Sequence, residues 1–287
     1  MRRVGPNSFT EIYFAGCNPS FVETSDGYVM IDSPQQPIDA VRWRERMEEK
    51  APIRYLINTE PHGDHISGNA YFPHVKVVGQ VKLQECFARY LYAFGTLDEK
   101  RERFKETDPD SVWLVGHPDY PAANPPTLTF TDTLTLHVGD HTFNIIHMPG
   151  HTAPQTSVHV PEEGVVFTGD TVFSECQTWL MTSDIDQWVA SLEVVRGLDV
   201  DHVVPGHGPV TTKKYLATQR AVLLEWLNAV ASAVARGWSR DETISRVNFA
   251  ERYPVDVGQG YMMDHIQTLN AASLWDKLTA RPAGGST

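Results

Sequence analysis

Between residues 59 and 69 the chain reads Thr-Glu-Pro-His-Gly-Asp-His-Ile-Ser-Gly-Asn, and residues 60–65 alone hold four metal-ligand side chains: Glu60, His62, Asp64 and His65. Imidazole and carboxylate donors together suit zinc, manganese or iron. A strand cannot aim all four at one point, because alternate residues face opposite ways. A loop can, and this one follows the apolar run Arg54-Tyr55-Leu56-Ile57-Asn58, is bent by Pro61 and is loosened by Gly63. Taken alone, the stretch reads equally well as a polar turn leading into a helix. Three further places bear on the choice: Gly150-His151, Gly169-Asp170 and Gly206-His207 each put glycine directly before a ligand-type residue, just after an apolar run. Glycine is expected where the backbone must bend sharply to aim a side chain.

The elements that must position these residues alternate between strand and helix. Strands are expected at 11–14, 20–24 and 28–32, with hairpin-turn chemistry at Ser25-Asp26-Gly27. Ile38, Val41, Trp43 and Met47 lie at near-helical spacing in a segment closed by Pro52, which predicts a surface helix over 37–50. A strand at 53–58, the ligand loop and a strand at 75–78 complete a βαβ rhythm. Residues 80–125 interrupt it. Val81, Leu83, Phe87, Tyr90, Leu91 and Phe94 predict an amphipathic helix, a charged helix follows at 97–106, and then a proline-rich segment. A connection of that length in a compact domain points to a lid or binding loop. Its aromatics either cover a substrate or form a small core of their own. Strands return at 127–130, 134–138, 141–147, 156–160 and 165–168. They are followed by a helix over 184–197 with Ser183 as N-cap, a strand at 202–204, helices near 211–236, 240–249 and 260–279, and a flexible Gly-Gly-Ser-Thr tail. Meander, βαβ unit and ligand-bearing turn occur twice, as in two similar halves that face each other with helices outside.

On these residues the chain resembles the metallo-β-lactamase-fold hydrolase superfamily, whose signature is His-x-His-x-Asp-His followed by His, Asp and His on successive loops. Met148-Pro149-Gly150-His151-Thr152, Phe167-Thr168-Gly169-Asp170-Thr171 and Val204-Pro205-Gly206-His207-Gly208 carry the rest of the likeness, over about residues 10–210. The resemblance implies an α/β fold: a four-layer αββα sandwich in one domain over 1–287, with core about 8–210, helical insert about 80–125 and C-terminal helices about 211–280. It implies two divalent metal ions, with His62 and His151 on the first, Asp64, His65 and His207 on the second, and Asp170 bridging. One position departs, since Glu60 stands where the motif begins with His. Its carboxylate either coordinates the first ion or lies behind the ligands with one site empty. As a ligand it adds negative charge, which weakens the Lewis acid and lets manganese or iron gain on zinc, otherwise the first choice.

Composition sets the remaining bounds. The 287 residues are 41% hydrophobic, enough for a substantial core, and carry a net charge of −12 with no basic cluster beyond residues 100–105. Nucleic-acid binding is therefore not expected. No long apolar run suggests a membrane span or an export signal, so a cytoplasmic location is expected. Cys17, Cys86 and Cys176 are too far apart for a metal clip and read as packed or free thiols. His74, His117, His137, His141, His147, His159 and His202 lack a convergent partner and read as packed or solvated. His265, beside Tyr261, Met262 and Met263, is either a surface residue or one leaning over a pocket.

The expected function is hydrolysis of a small-molecule ester, lactone or amide by a metal-bridging hydroxide, with Asp64 orienting that hydroxide and passing a proton toward the leaving group. No Gly-x-Ser-x-Gly competes. An antibiotic-degrading lactamase is disfavoured without an export signal, a glyoxalase-type enzyme without a basic cluster, and a nuclease by the acidic charge. Two other readings stand beside it: an iron-dependent oxidoreductase of the persulfide dioxygenase type, and a non-catalytic binding protein with a degenerate site. The partner is a small-molecule substrate, with homodimerisation through the apolar insert as a further expectation.

Overall fold

A computed structural model describes residues 1–93, 95–257 and 259–280. The first sheet runs in sequence order: β1 (Arg2–Arg3), β2 (Ser8–Thr10), β3 (Ser20–Thr24), β4 (Gly27–Ile31), β5 (Ile53–Ile57), β6 (Lys76–Gln80) and β7 (Leu128–Phe130). It is antiparallel up to β4 and parallel from there on. The second sheet comprises β8 (Thr133–Val138), β9 (His141–His147), β10 (Thr156–Val160), β11 (Val165–Phe167) and β12 (His202–Val204), again antiparallel until a final parallel pair, β11 with β12. Both halves thus go from hairpins to parallel strands, as the doubled sequence pattern predicts, but the second has one parallel pair where the first has three.

Strand periodicity explains why there are four layers. Val22, Val29, Ile31 and Ile57 of the first sheet meet Val158, Val165, Phe167 and Val204 of the second in one buried cluster between the sheets. Their immediate neighbours Phe21, Tyr28, Met30 and Leu56 face outward onto Ala40, Val41, Trp43 and Met47 of α1 (Pro37–Glu48). On the far side Val166 and Val203 do the same. The short α2 (Gly63–Ile66) and the insert helices α3 (Val81–Leu91) and α4 (Leu97–Thr107) lie outside the cluster on that face, and the helices that cover the face are α5 (Ile185–Gly197), α6 (Leu216–Ala235), α7 (Arg240–Arg246) and α8 (Met263–Thr279). Trp188 and Leu192 of α5 and Leu223, Trp226 and Val230 of α6 cover it. Side chains alternating between two apolar faces require a cover on each face. The result is the α/β sandwich expected. Among the described residues no helix is long and apolar enough to cross a membrane.

Several boundaries move. Residues 11–14 form no strand; the strand is Ser8–Thr10, and the chain then leaves the sheet in a loop to 19. That loop is committed elsewhere: the Asn18 backbone N–H donates to Gly206 O at 2.7 Å, and its side-chain amide donates to Pro205 O and Gly208 O. Ser183 does not cap α5. Its hydroxyl donates to Leu180 O, and Asp184 takes the cap by accepting from Gln187 N. The helix expected from 211 begins at Leu216, after a 3-10 turn over Lys213–Tyr215, because Thr211 pairs back with Val203. The helix expected to reach 249 ends at Arg246. Phe94 and the Gly-Gly-Ser-Thr tail lie outside the described residues. All three cysteines are free, and Cys17 and Cys176 are buried.

His141 is packed, but not blandly. Its Nε2 meets buried Glu163 at 2.9 Å and its Nδ1 meets Asp140 at 2.8 Å, while Glu163 also accepts from Asn7 N, Asn7 Nδ2 and Ser8 Oγ. This ties the N-terminal strands to the second sheet. Burial would lower the imidazole pKa, but Glu163 and Asp140 outweigh it and raise it. Burial would raise Glu163, but His141 and Asn7 lower it. The His contribution is therefore full below its unfolded pKa and fades as pH rises through the raised value. The Glu contribution is full above its unfolded pKa and fades as pH falls. We predict that Glu163→Gln costs roughly 3 kcal/mol near pH 5.5, the low end for breaking a buried pair. The deficit should shrink toward pH 9, as read from urea melts at the two pH values. An equal deficit at both would show that the charge on His141 is irrelevant.

Candidate metal centre

The seven ligand-type residues singled out from the sequence meet at one edge of the sandwich, on loops that follow β5, β9, β11 and β12. Three of these strands, β5, β11 and β12, take part in parallel pairs, and the site lies beyond their carboxyl ends, where α/β sheets commonly bind ligands. The loops are pinned to one another by backbone. Thr156 N donates to Thr59 O at 2.7 Å across the two sheets, and Gly206 N donates to Gly169 O at 2.8 Å, joining the Asp170 and His207 loops. After β5 the chain turns at Pro61, and His62 stands at the N-cap of α2, whose first turn carries Asp64 and His65. Asn58 and Asn69 close the base of this loop by bonding each other's amides.

The donors form two groups. Glu60, His62, His151 and Asp170 offer atoms within 4.8 Å of one another, as do Asp64, His65 and His207. Asp170 lies between the groups: its Oδ1 is 3.3 Å from His65 Nε2 and 3.4 Å from His207 Nε2, and its Oδ2 is 3.4 Å from His151 Nε2. Three imidazoles are oriented from behind. His65 Nδ1 donates to Asp32 Oδ2 at 2.8 Å, His207 Nδ1 to Asp256 Oδ2 at 2.9 Å, and His151 Nδ1 to Trp179 O at 3.0 Å. Each bond fixes the tautomer that leaves an Nε2 lone pair facing the centre. His62 is turned the other way, with Nδ1 inward, 3.1 Å from His151 Nε2.

This arrangement fits a pair of divalent ions. Glu60 Oε2, His65 Nε2 and Asp170 Oδ1 are buried without a hydrogen-bond partner among the described residues. Among the described residues the ion-pair partners of Glu60 are histidines alone. Buried carboxylates without fixed cations are costly unless a metal supplies the charge. Burial opposes charge on Asp64, yet His65 and His207 hold its carboxyl at about 2. Asp170 is held well below the carboxylate range by His207 and His65 against the same burial. His65 and His207 are raised in return, burial being outweighed by neighbours that include Asp170. For His151 burial prevails and the ring stays neutral. Protons held on His65 and His207 are what an incoming dication displaces.

The residues behind the donors were not visible from the sequence. Asp32 directly follows β4 with a positive φ of 57° and grips both Thr59 and His65. Its place at a strand end was the available signal. Asp256 and the Trp179 carbonyl had none, because they reach the site only through packing of the C-terminal helices. Asn270 of α8 bonds Leu180 N and Thr178 O, and Gln219 of α6 accepts from Phe173 N, which holds the 173–180 segment in place. The insert divides its aromatics. Leu83, Phe87 and Leu91 pack on Ile66 beside the ligand loop, Tyr120 joins the α1 cluster, and Tyr90 sets its ring edge-on to His62 at 5.3 Å. Of the two expectations for the insert, the private core holds for Phe87 and the site contact for Tyr90, while Tyr120 packs on the α1 cluster and Tyr92 and Trp113 are exposed. His265 stands 6.4 Å from Trp179, ring to ring.

The profile of the metallo-beta-lactamase superfamily matches residues 12–207. The Homo sapiens protein named acyl-coenzyme A thioesterase MBLAC2 is 35% identical over 171 residues, 57% of this chain and 60% of that protein. The Aspergillus fumigatus atrochrysone carboxyl ACP thioesterase is 24% identical over 217 residues, covering 74% and 57% respectively. The chain spans about half the length of the curated relatives it matches. The solved sec-alkylsulfatase Pisa1 from Pseudomonas sp. superposes with a TM-score of 0.68 at 15% identity, over 99% of this chain and 50% of that one, so the fold likeness extends through the C-terminal helices.

Proposed function

The chain belongs to the metallo-beta-lactamase superfamily, and from that premise we propose that it is a dinuclear metal-dependent hydrolase of small-molecule acyl compounds, with thioesters as the preferred class. The observation that carries this reading is the meeting of two donor groups on either side of the Asp170 carboxylate. Two bound ions, zinc first and manganese or iron next, supply a water of lowered pKa and polarise the carbonyl it attacks.

The chain's own residues define the rest. Asp64 and His62 are the donors that keep some exposure, 19% and 15%, so the mouth opens beside them. Asp64 Oδ2, 3.1 Å from His207 Nε2, is placed to accept a hydrogen bond from the attacking water and to orient it. As a carboxylate it can take a proton from that water but carries none beforehand for a leaving group. That favours a substrate whose leaving group departs as an anion. A thiolate, whose parent thiol has a pKa of about 8.5, does this far more readily than an alkoxide or an amine. Amides accordingly fall behind esters and lactones. Relatives that bear thioesterase names support the same class. Tyr90, edge-on to His62, forms an apolar wall at the mouth.

The test is an activity panel of acyl-coenzyme A and other thioesters, carboxylic esters, lactones, amides and alkyl sulfates, run with elemental analysis, before and after chelation and reloading with zinc, manganese or ferrous ion. Thioester cleavage lost on chelation and restored by metal is the expected result. Oxygen uptake with a persulfide and iron as the sole ion would instead establish an oxidoreductase. Preferential cleavage of sulfate esters would establish a sulfatase, and no turnover of any substrate by the loaded protein a binding role.

A further inference from the structure

Glu60 stands where the superfamily motif begins with histidine, and a histidine there offers a single nitrogen to a single ion. A carboxylate has two oxygens. The Glu60 side chain is fully buried, and its Oε1 lies 2.8 Å from His62 Nδ1 and 3.1 Å from His65 Nε2. Those two nitrogens belong to different donor groups, His62 to the first and His65 to the second. Oε2 points to His151 Nε2 at 3.4 Å and has no hydrogen-bond partner. Asp170 also meets both groups, but with one oxygen for each, Oδ1 toward His65 and His207 and Oδ2 toward His151.

We propose that Glu60 bridges the two ions, so that this centre is closed by two carboxylates, Glu60 and Asp170, instead of one. The inference rests on the dinuclear reading above and goes beyond it, since a terminal Glu60 on the first ion would serve that reading equally well. A plain hydrogen bond from His62 to Glu60 accounts for the 2.8 Å contact. It does not account for the approach of His65 from the other group, nor for a second oxygen buried with no partner. Two shared carboxylates tie the affinities of the sites together. The more oxygen-rich donor set also favours harder ions such as manganese relative to an all-imidazole first site.

The test begins with the parent protein. Crystals loaded with manganese and measured at its absorption edge should show two ions with Glu60 in contact with both. Contact with one ion only, or with neither, overturns the proposal. A parent that binds no ion, or only one, overturns the dinuclear reading and this inference with it. In solution, stepwise manganese and zinc affinities are compared for the parent, Glu60→Gln and Glu60→His, with near-ultraviolet circular dichroism as the check on folding. A bridge predicts that both binding steps weaken in both variants by at least about tenfold, the low end for loss of even an outer-sphere partner. Weak exchange coupling between two manganese ions, seen by electron paramagnetic resonance in the parent, should also change. One ion held at parental affinity while the other is lost means a terminal ligand and overturns the bridge.

Discussion

Asp170→Asn lowers kcat/KM by about 10³-fold or more and leaves less than one ion per chain, while the protein stays folded. The substitution is isosteric, so the short 3-10 turn over Gly169–Thr171, the bond from Gly206 N to Gly169 O and that from Thr168 N to Val204 O are untouched. What changes is the group between the two donor sets. Asp170 is 3% exposed and directs one oxygen to His65 and His207 and the other to His151. An amide keeps one acceptor oxygen, turns an NH₂ toward the nitrogens on one side, and carries no charge to share between two dications. Lewis-acid and nucleophile generation by a metal pair contributes several kcal/mol, and about 4 kcal/mol corresponds to the stated thousandfold. Elemental analysis, circular dichroism and steady-state kinetics on the same preparation check it. Two ions retained with activity within tenfold of the parent would remove Asp170 from its place between the sites.

The centre was legible in the sequence to the extent that strand ends announce themselves. Each donor loop follows an apolar run, and in the three loops with a single donor glycine directly precedes it, so His151, Asp170 and His207 could be picked out from local pattern before any fold was known. The layers were legible for a related reason. Val165, Val166 and Phe167 read only as a buried strand, and in the structure Val166 faces α5 and α6 while its neighbours face the other sheet. What local pattern could not supply was anything decided by residues far apart in sequence. His207 and Asp256 are 49 residues apart, His151 and Trp179 are 28 apart, and neither partner sits in a recognisable motif.

The misplaced strand at 11–14 has a similar origin. Ile12, Tyr13 and Phe14 have strand composition, but Asn18 is drawn across to the His207 loop, and the chain cannot both pair in the sheet and make that crossing. Local propensity gave way to a tertiary hydrogen-bond demand. Glu60 shows the reverse case. Its departure from the motif was plain in the sequence, whereas its position among His62, His65 and His151 depends on how the ligand loop turns and on its meeting with the loop after β9.

Gly206→Ala provides the second large effect, and it acts without replacing a donor. A methyl group built on Gly206 would stand 1.9 Å from Asp170 Oδ1 and 2.7 to 2.8 Å from the backbone of Gly169 and Asp170. The backbone cannot retreat, because Gly206 N donates to Gly169 O and Gly206 O accepts from Asn18 N. The Asp170 carboxylate, on a one-carbon tether, is the group that must swing, and swinging takes it away from His65 and His207 together. Overpacking of this kind costs about 2 kcal/mol of stability. A displacement near 1 Å at a reacting centre costs about 10²-fold in rate. Gly197→Ala is the matched control: nothing lies within 4 Å of its added methyl, and it sits at the C-terminus of α5, where alanine should be neutral or slightly stabilising. Thermal melts with and without chelator, metal content and turnover on both variants separate the effects. If Gly206→Ala melts like Gly197→Ala and keeps its metals, the close approach of the two loops is not what holds Asp170 in place. If it loses metal and turnover by far more than its loss of stability explains, the backbone at Gly206 is as much a part of the centre as the side chains that line it.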